Sequence, residues 1–185
     1  MPTHSQSLQN NFLIAMPQMH DPNFGGSLTY ICEHNEYGAM GVIINKPLEL
    51  NLDSVLEQLN ISMETENQPI YAGGPVQQER GFIIHTGAPS WESSMRVSPT
   101  ISLTTSRDIL EAIGNGSGPK QFLLALGYAG WSEGQLEQEL KENIWLTCHA
   151  NHQVLFNTPD EAKFKSAVSI LGIDMDQLSG QIGHA

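Results

Sequence analysis

Two stretches, residues 39–45 and 121–126, are apolar at nearly every successive position, yet neither is long enough for a buried helix. A run of this kind hides its side chains only as a strand covered on both faces. The chain must therefore build a sheet with further layers on each side. At 185 residues it has the material to do so. One domain of that size buries roughly 70% of its unfolded surface without a disulfide or metal staple.

The rest of the pattern surrounds those two strands. Residues 12–16 read as a short buried strand stopped by Pro17, followed by a loop over 18–26. Over residues 27–34 the side chains alternate, which places Leu28, Tyr30, Cys32 and His34 on one face and Thr29, Ile31 and Glu33 on the other. The turn at 35–38 then closes a hairpin onto residues 39–45. Further strands are expected at 69–72, 81–85, 145–150 and 152–156, with an extended segment at 95–104 in which Pro99 marks an edge or bulge.

Four helices are expected. Asn51 caps one that carries Leu52, Val55, Leu56 and Leu59 on one face. A second starts at Thr105, buries Ile109, Leu110 and Ile113, and stops at Gly114-Asn115-Gly116. Ser132 and Gln135 form a capping box for a third, and Thr158, Pro159 and Glu161 open the last. Hairpins interrupt any strict alternation of strand and helix. The predicted fold class is therefore α+β: a single domain over residues 1–185 with a mixed, mostly antiparallel sheet and about four helices. Residues 1–9 and 173–185 are expected to be weakly ordered.

Charge narrows the function. Eight Lys and Arg stand against twenty Asp and Glu, a net charge of −12. That balance opposes direct nucleic-acid binding, which needs clustered cations, and adsorption to anionic membranes. The expected partner is a small molecule or another protein. No basic, apolar leader opens the sequence and no apolar run approaches the about 18 residues of a membrane span, so a cytoplasmic location is expected.

Candidate chemistry falls in two places. On one strand face Cys32 and His34 would lie side by side, where the imidazole could activate the thiol. Alternatively Cys32 is a buried apolar residue and His34 only closes the strand. Adding Cys148-His149 would make a Cys2His2 set, but the spacing fits no zinc module, so no metal and no cofactor are expected. His85 is expected to face water at a strand end. The second place is the segment 127–135. There a buried strand is expected to pass through a turn at Gly127 and Gly130, with Trp131 beside it, into the helix opened by Gln135. Free amides at such a turn attract anions, although the same glycines serve equally well as a tight structural turn. No Walker loop, nucleophile elbow or H-E-x-x-H motif is present.

Several strings together resemble the YqgE/AlgH family. They are Asn11-Phe-Leu-Ile-Ala-Met-Pro17, Cys32-Glu-His-Asn35, Gly38-Ala-Met-Gly-Val-Ile-Ile-Asn-Lys-Pro47, Gly73-Gly-Pro-Val76, Arg80-Gly-Phe82 with His85, Gly127 through Trp131, and Gly134-Gln-Leu-Glu137 with Asn143-Ile-Trp-Leu146. The resemblance spans roughly residues 8–172; Phe164 departs from it, standing where the family carries Trp. It implies a bacterial, cytoplasmic protein with a single α+β unit of coiled, branching sheets. It implies no established reaction or cofactor, and its name suggests transcriptional regulation of alginate production. Three readings remain: a non-catalytic regulatory or ligand-binding protein, an enzyme using either the Cys32/His34 pair or the segment from Gly127 to Gln135, and an indirect transcriptional effector.

Overall fold

The computed structural model describes residues 6–17, 21–22, 24–173 and 178. In chain order the strands and helices are β1 (Asn11–Ala15), β2 (Leu28–Asn35), β3 (Gly38–Ile43), β4 (Pro47–Asn51), α1 (Leu52–Gln58), β5 (Pro69–Ala72), β6 (Val76–Thr86), β7 (Ser94–Arg96) and β8 (Ile101–Thr104). They continue with α2 (Arg107–Gly114), β9 (Phe122–Ser132), α3 (Gln135–Lys141), β10 (Trp145–His149), α4 (His152–Phe156) and α5 (Asp160–Ile170). The architecture is the α+β arrangement expected: one curled, almost wholly antiparallel sheet in the order β10-β1-β2-β3-β9-β6-β8-β7, with β5 and β4 branching from β9.

The branch is built into β9 itself. Leu123 to Leu126 pair with β6, and Ala125 and Leu126 also pair in parallel with Tyr71 and Ala72 of β5. From Ala129 onward β9 pairs with β3 instead. The change of partner, between Tyr128 and Ala129, follows Gly127, whose φ is +83°. A Cβ there would lie 2.3 Å from the Gly74 carbonyl oxygen, so two backbones meet where no side chain fits. The segment 127–131 is thus not a turn into a helix, as expected, but the second half of an eleven-residue strand.

Both faces of the sheet are covered. Ile83 and Leu124 point into a core with Leu52, Leu56, Ile109 and Ile113 from α1 and α2. Their neighbours Ile84 and Ala125 point the other way, into a core shared with Phe12, Tyr30, Val42, Ala167 and Val168. A third cluster, Leu13, Ile31, Trp131, Leu136 and Trp145, lies under α3. Each fully buried Leu or Ile contributes about 1.5–3 kcal/mol, and the two-sided runs exist to supply them.

Two local expectations are corrected. Residues 152–156 form a helix, not a strand, because Asn151 accepts the Val154 amide proton at 2.8 Å and caps it. Residues 94–104 form the β7–β8 hairpin rather than one extended segment, with Pro99 in its turn. β4 is a strand beyond those expected: Leu48 and Leu50 alternate with polar neighbours, but over only five residues, and the strand stays almost wholly exposed. Near the start of the described residues, Ser7 Oγ donates to the His34 carbonyl at 3.0 Å and Gln9 Nε2 to the Val97 carbonyl at 3.0 Å. Residues 1–5 and most of 174–185 lie outside the described residues.

Candidate functional site

Strand alternation would put Cys32 beside His34, but β2 bulges at Cys32. Ile31 pairs with Gly41 and Glu33 with Met40, so one residue is extra on β2 and the side-chain parity flips. Cys32 packs in the core with Phe12 and Tyr30. His34 pairs with Ala39, on the face toward α3. There its Nδ1 accepts the Leu8 amide proton at 2.8 Å, which leaves the proton on Nε2, donated to Glu137 Oε1 at 3.1 Å. The imidazole is occupied on both nitrogens. The Cys32 thiol is fully buried, and burial, with the Glu33 carboxylate nearby, pushes its pKa up rather than toward a reactive thiolate. The two do not form a thiol–imidazole pair.

Trp131 and Gln135 meet around Glu139. The indoles of Trp131 and Trp145 both donate to Glu139 Oε1, at 2.9 and 2.8 Å, and Gln135 Nε2 donates to Oε2 at 3.0 Å. Phe24 packs against both indole rings. The capping box survives in half: the Ser132 amide donates to Gln135 Oε1 at 3.0 Å, while the helix cap is Gly134. This is a clasp that fixes α3 to the sheet. Gly130 differs from Gly127. It is exposed, and an added Cβ would meet only Tyr128 Cε2, at 3.4 Å.

Gly130 and Trp131 do border a groove of about 510 Å³, together with Met40, Phe82, Tyr128 and Arg80. Arg80 is its distinctive member. Between Val76 and Gly81, β6 spends five residue steps while β9 spends two, from Tyr128 to Leu126. The surplus is thrown outward as an exposed bulge, with Gln77 held at a φ of +50°. A non-glycine residue in that region costs roughly 1–3 kcal/mol, and such strain gathers at functional positions. The bulge delivers the Arg80 guanidinium, which donates to Gln77 Oε1 at 3.2 Å and Thr105 Oγ1 at 3.1 Å and sits 5.6 Å from the Phe82 ring centroid. All three partners are neutral. Among the described residues no carboxylate forms an ion pair with this cation. On its other side lies a second cleft, of about 480 Å³, between α1, α2 and the sheet. Arg80 therefore stands at the divide between two recesses, a position only the register of β6 against β9 could reveal.

The profile described as DUF179, AlgH-like, matches residues 12–176. The chain belongs to the AlgH-like family. Similar AlgH-like relatives include the UPF0301 proteins of Hahella chejuensis, 50% identical over the whole of both chains, and of Nitrosococcus oceani, 51% identical over 96% of each. The solution structure of the AlgH protein from Pseudomonas aeruginosa is similar at a TM-score of 0.80 and 46% identity, covering 100% of this chain and 98% of that one. A Corynebacterium diphtheriae protein shares the AlgH-like fold at a TM-score of 0.69 and 22% identity, over 89% and 86%.

Two buried polar clusters escaped the sequence reading. Lys163, 2% exposed, donates to the Ile44 carbonyl at 2.9 Å and to Tyr71 Oη at 3.3 Å, and pairs with Asp160 Oδ1 at 2.9 Å. Tyr71 Oη donates to the same carboxylate at 2.6 Å. Burial pulls the Lys163 pKa down, against Asp160, and pushes the Tyr71 pKa up, with Asp160. His85 is fully buried rather than facing water; its Nδ1–H donates to the Thr86 carbonyl at 2.9 Å and Nε2 accepts from Thr104 Oγ1 at 2.7 Å. Burial lowers its pKa. Neither borders the two recesses. Among the described residues no three His, Cys, Asp or Glu side chains gather as a metal site, and no helix is long and apolar enough to cross a membrane.

Proposed function

We propose that this AlgH-like protein is a non-catalytic, cytoplasmic ligand-binding protein with a regulatory role, and that Arg80 anchors its ligand. One observation carries the reading: a cation held in place by neutral partners, on a strained bulge, between two recesses, in a chain of net charge −12. A fixed guanidinium that, among the described residues, pairs with no carboxylate is preorganised for an anion arriving from outside. Against the enzyme reading stand the buried Cys32 thiol and the doubly bonded His34 ring. Any effect on transcription then passes through the ligand or a protein partner, because eight basic residues against twenty acidic ones give little to hold a phosphate backbone.

The test is mass spectrometry of small molecules released from natively purified protein, wild type beside Arg80→Gln. A compound retained near one per chain by the wild type and lost from the variant is the expected result. Retention of nothing by the wild type, or of the same compound by both, overturns the reading. A retardation assay with duplex DNA at physiological salt is expected to show no sequence-dependent binding.

A further inference from the structure

The two recesses beside Arg80 differ in chemistry. The groove toward β3 is walled by Phe82, Tyr128, Met40 and Trp131. The cleft toward the helices is aliphatic: Val55 and Leu59 of α1, Leu110 of α2, and Ile83, Leu124 and Leu126 of the sheet. Ile83 and Leu124 are 1% exposed and form its floor, while Val55, Leu59 and Leu126 remain partly open to it. Apolar surface left open under a charged rim is the usual mark of a binding recess, and the volume lies within the roughly 300–1,000 Å³ of small-molecule sites.

The rim has a sign. Two guanidiniums, Arg80 and Arg107, line it against one carboxylate, Glu79, in a chain where acidic residues outnumber basic ones by twenty to eight. Arg107 is already engaged, with Glu111 at 2.9 Å and with the Leu59 carbonyl. Arg80 is not. Its bond to Thr105, another rim residue, holds the guanidinium over the mouth, and its two side-chain bonds leave further N–H donors of the fork unused.

We infer that this cleft binds an aliphatic chain ending in an anionic head, carboxylate or phosphate, with the head on Arg80 and the chain along the Ile83–Leu124 floor. The inference rests on Arg80 as the ligand anchor and adds the class of ligand. A cation would meet two guanidiniums; a wholly apolar molecule would leave the unused N–H donors of Arg80 without an acceptor; an aromatic ligand would find its stacking partners in the other groove.

The experiment titrates dodecanoate, dodecyl phosphate and dodecanol, below their aggregation thresholds, into the full chain and follows methyl-resolved NMR. The expected result is saturable binding of at least one anion, shifting the methyls of Leu59, Leu110 and Leu124, with dodecanol weaker by about tenfold or more, the worth of one charge-assisted hydrogen bond. Binding of dodecanoate alone or of dodecyl phosphate alone identifies the head and supports the inference. Arg80→Gln should weaken the anions about tenfold and leave dodecanol unchanged; Leu59→Asp should weaken all three. Equal binding of dodecanol, indifference to Arg80→Gln, or shifts at Met40 in place of Leu59 and Leu110 overturns it. If neither anion binds while a co-purifying compound still depends on Arg80, the ligand-binding function stands and the amphipathic assignment falls.

Discussion

Asp160→Ala should cost more stability than Lys163→Met, although the lysine is the more buried partner. Their pair is 2% and 22% exposed in side-chain terms. Deleting one member of a buried pair leaves an uncompensated charge, at about 3–5 kcal/mol. Water reaches the partly open Asp160 position, so the low end applies to its removal, about 3 kcal/mol. Lys163→Met instead removes the charge together with its burial penalty and keeps an unbranched stem of similar length. What remains is an Ile44 carbonyl without its Nζ donor, worth about 1–3 kcal/mol, and an Asp160 carboxylate that keeps the Tyr71 hydroxyl and its partial exposure to water; the burial penalty no longer incurred offsets these, for a net near 1 kcal/mol. The double variant should lie within about 1 kcal/mol of Lys163→Met alone, because the carboxylate matters chiefly through the ammonium. Urea unfolding of the three variants and wild type at neutral pH measures this. The pH dependence gives a second reading. Burial lowers the Lys163 pKa in the folded state, so its penalty is full below that lowered value and is relieved as pH rises toward the unfolded value of about 10.4. Without Asp160 the relief begins earlier, and the gap between Asp160→Ala and wild type should narrow as pH rises toward the ordinary phenol range of about 10. A larger loss for Lys163→Met than for Asp160→Ala, or strict additivity in the double variant, would falsify the account.

Three further outcomes follow from the same geometry. Gly74→Ala puts a Cβ 2.1 Å from the Tyr128 carbonyl carbon at a φ of +156°, so it should lose about 3 kcal/mol or more, whereas exposed Gly130→Ala should stay within about 1 kcal/mol of wild type in thermal melts; similar losses at both sites would refute the crossing as the reason for the glycine. Glu139→Leu strips the acceptor shared by two buried indoles and should cost about 2–4 kcal/mol with a shift in tryptophan emission; a change below about 0.5 kcal/mol would show that the clasp contributes nothing. Burial pushes the Cys148 pKa up to about 11 and raises that of Cys32 also, so the folded state keeps protons that the unfolded chain has released; stability should fall as pH rises above about 8.5, and more shallowly in the Cys32→Ala/Cys148→Ala variant, with equal slopes counting against buried thiols.

The sequence alone determined what depends on near neighbours along the chain. Two-sided apolar runs required strands covered on both faces, and β3 and β9 are such strands. Helical spacing placed Leu52 and Leu56, and Ile109 and Ile113, in the core they share. Hairpins between helices gave α+β, and the quoted strings pointed to the AlgH-like family. The candidate site was legible only in Gly130 and Trp131, which border the groove beside Arg80. What the tertiary structure decided depends on how one strand counts against another. An extra residue opposite β3 separated Cys32 from His34, and a surplus in β6 opposite β9 lifted Arg80 out between two recesses. Gly127 looked like a turn because a left-handed glycine is equally suited to a turn and to a crossing, and only the presence of Gly74 against it distinguishes the two. Lys163 reads as an ordinary helix lysine until Ile44, Tyr71 and Asp160 close around it. Period and capping are properties of a segment; register, crossing and burial of a charge are properties of pairs far apart in sequence, and they exist only once the sheet has closed.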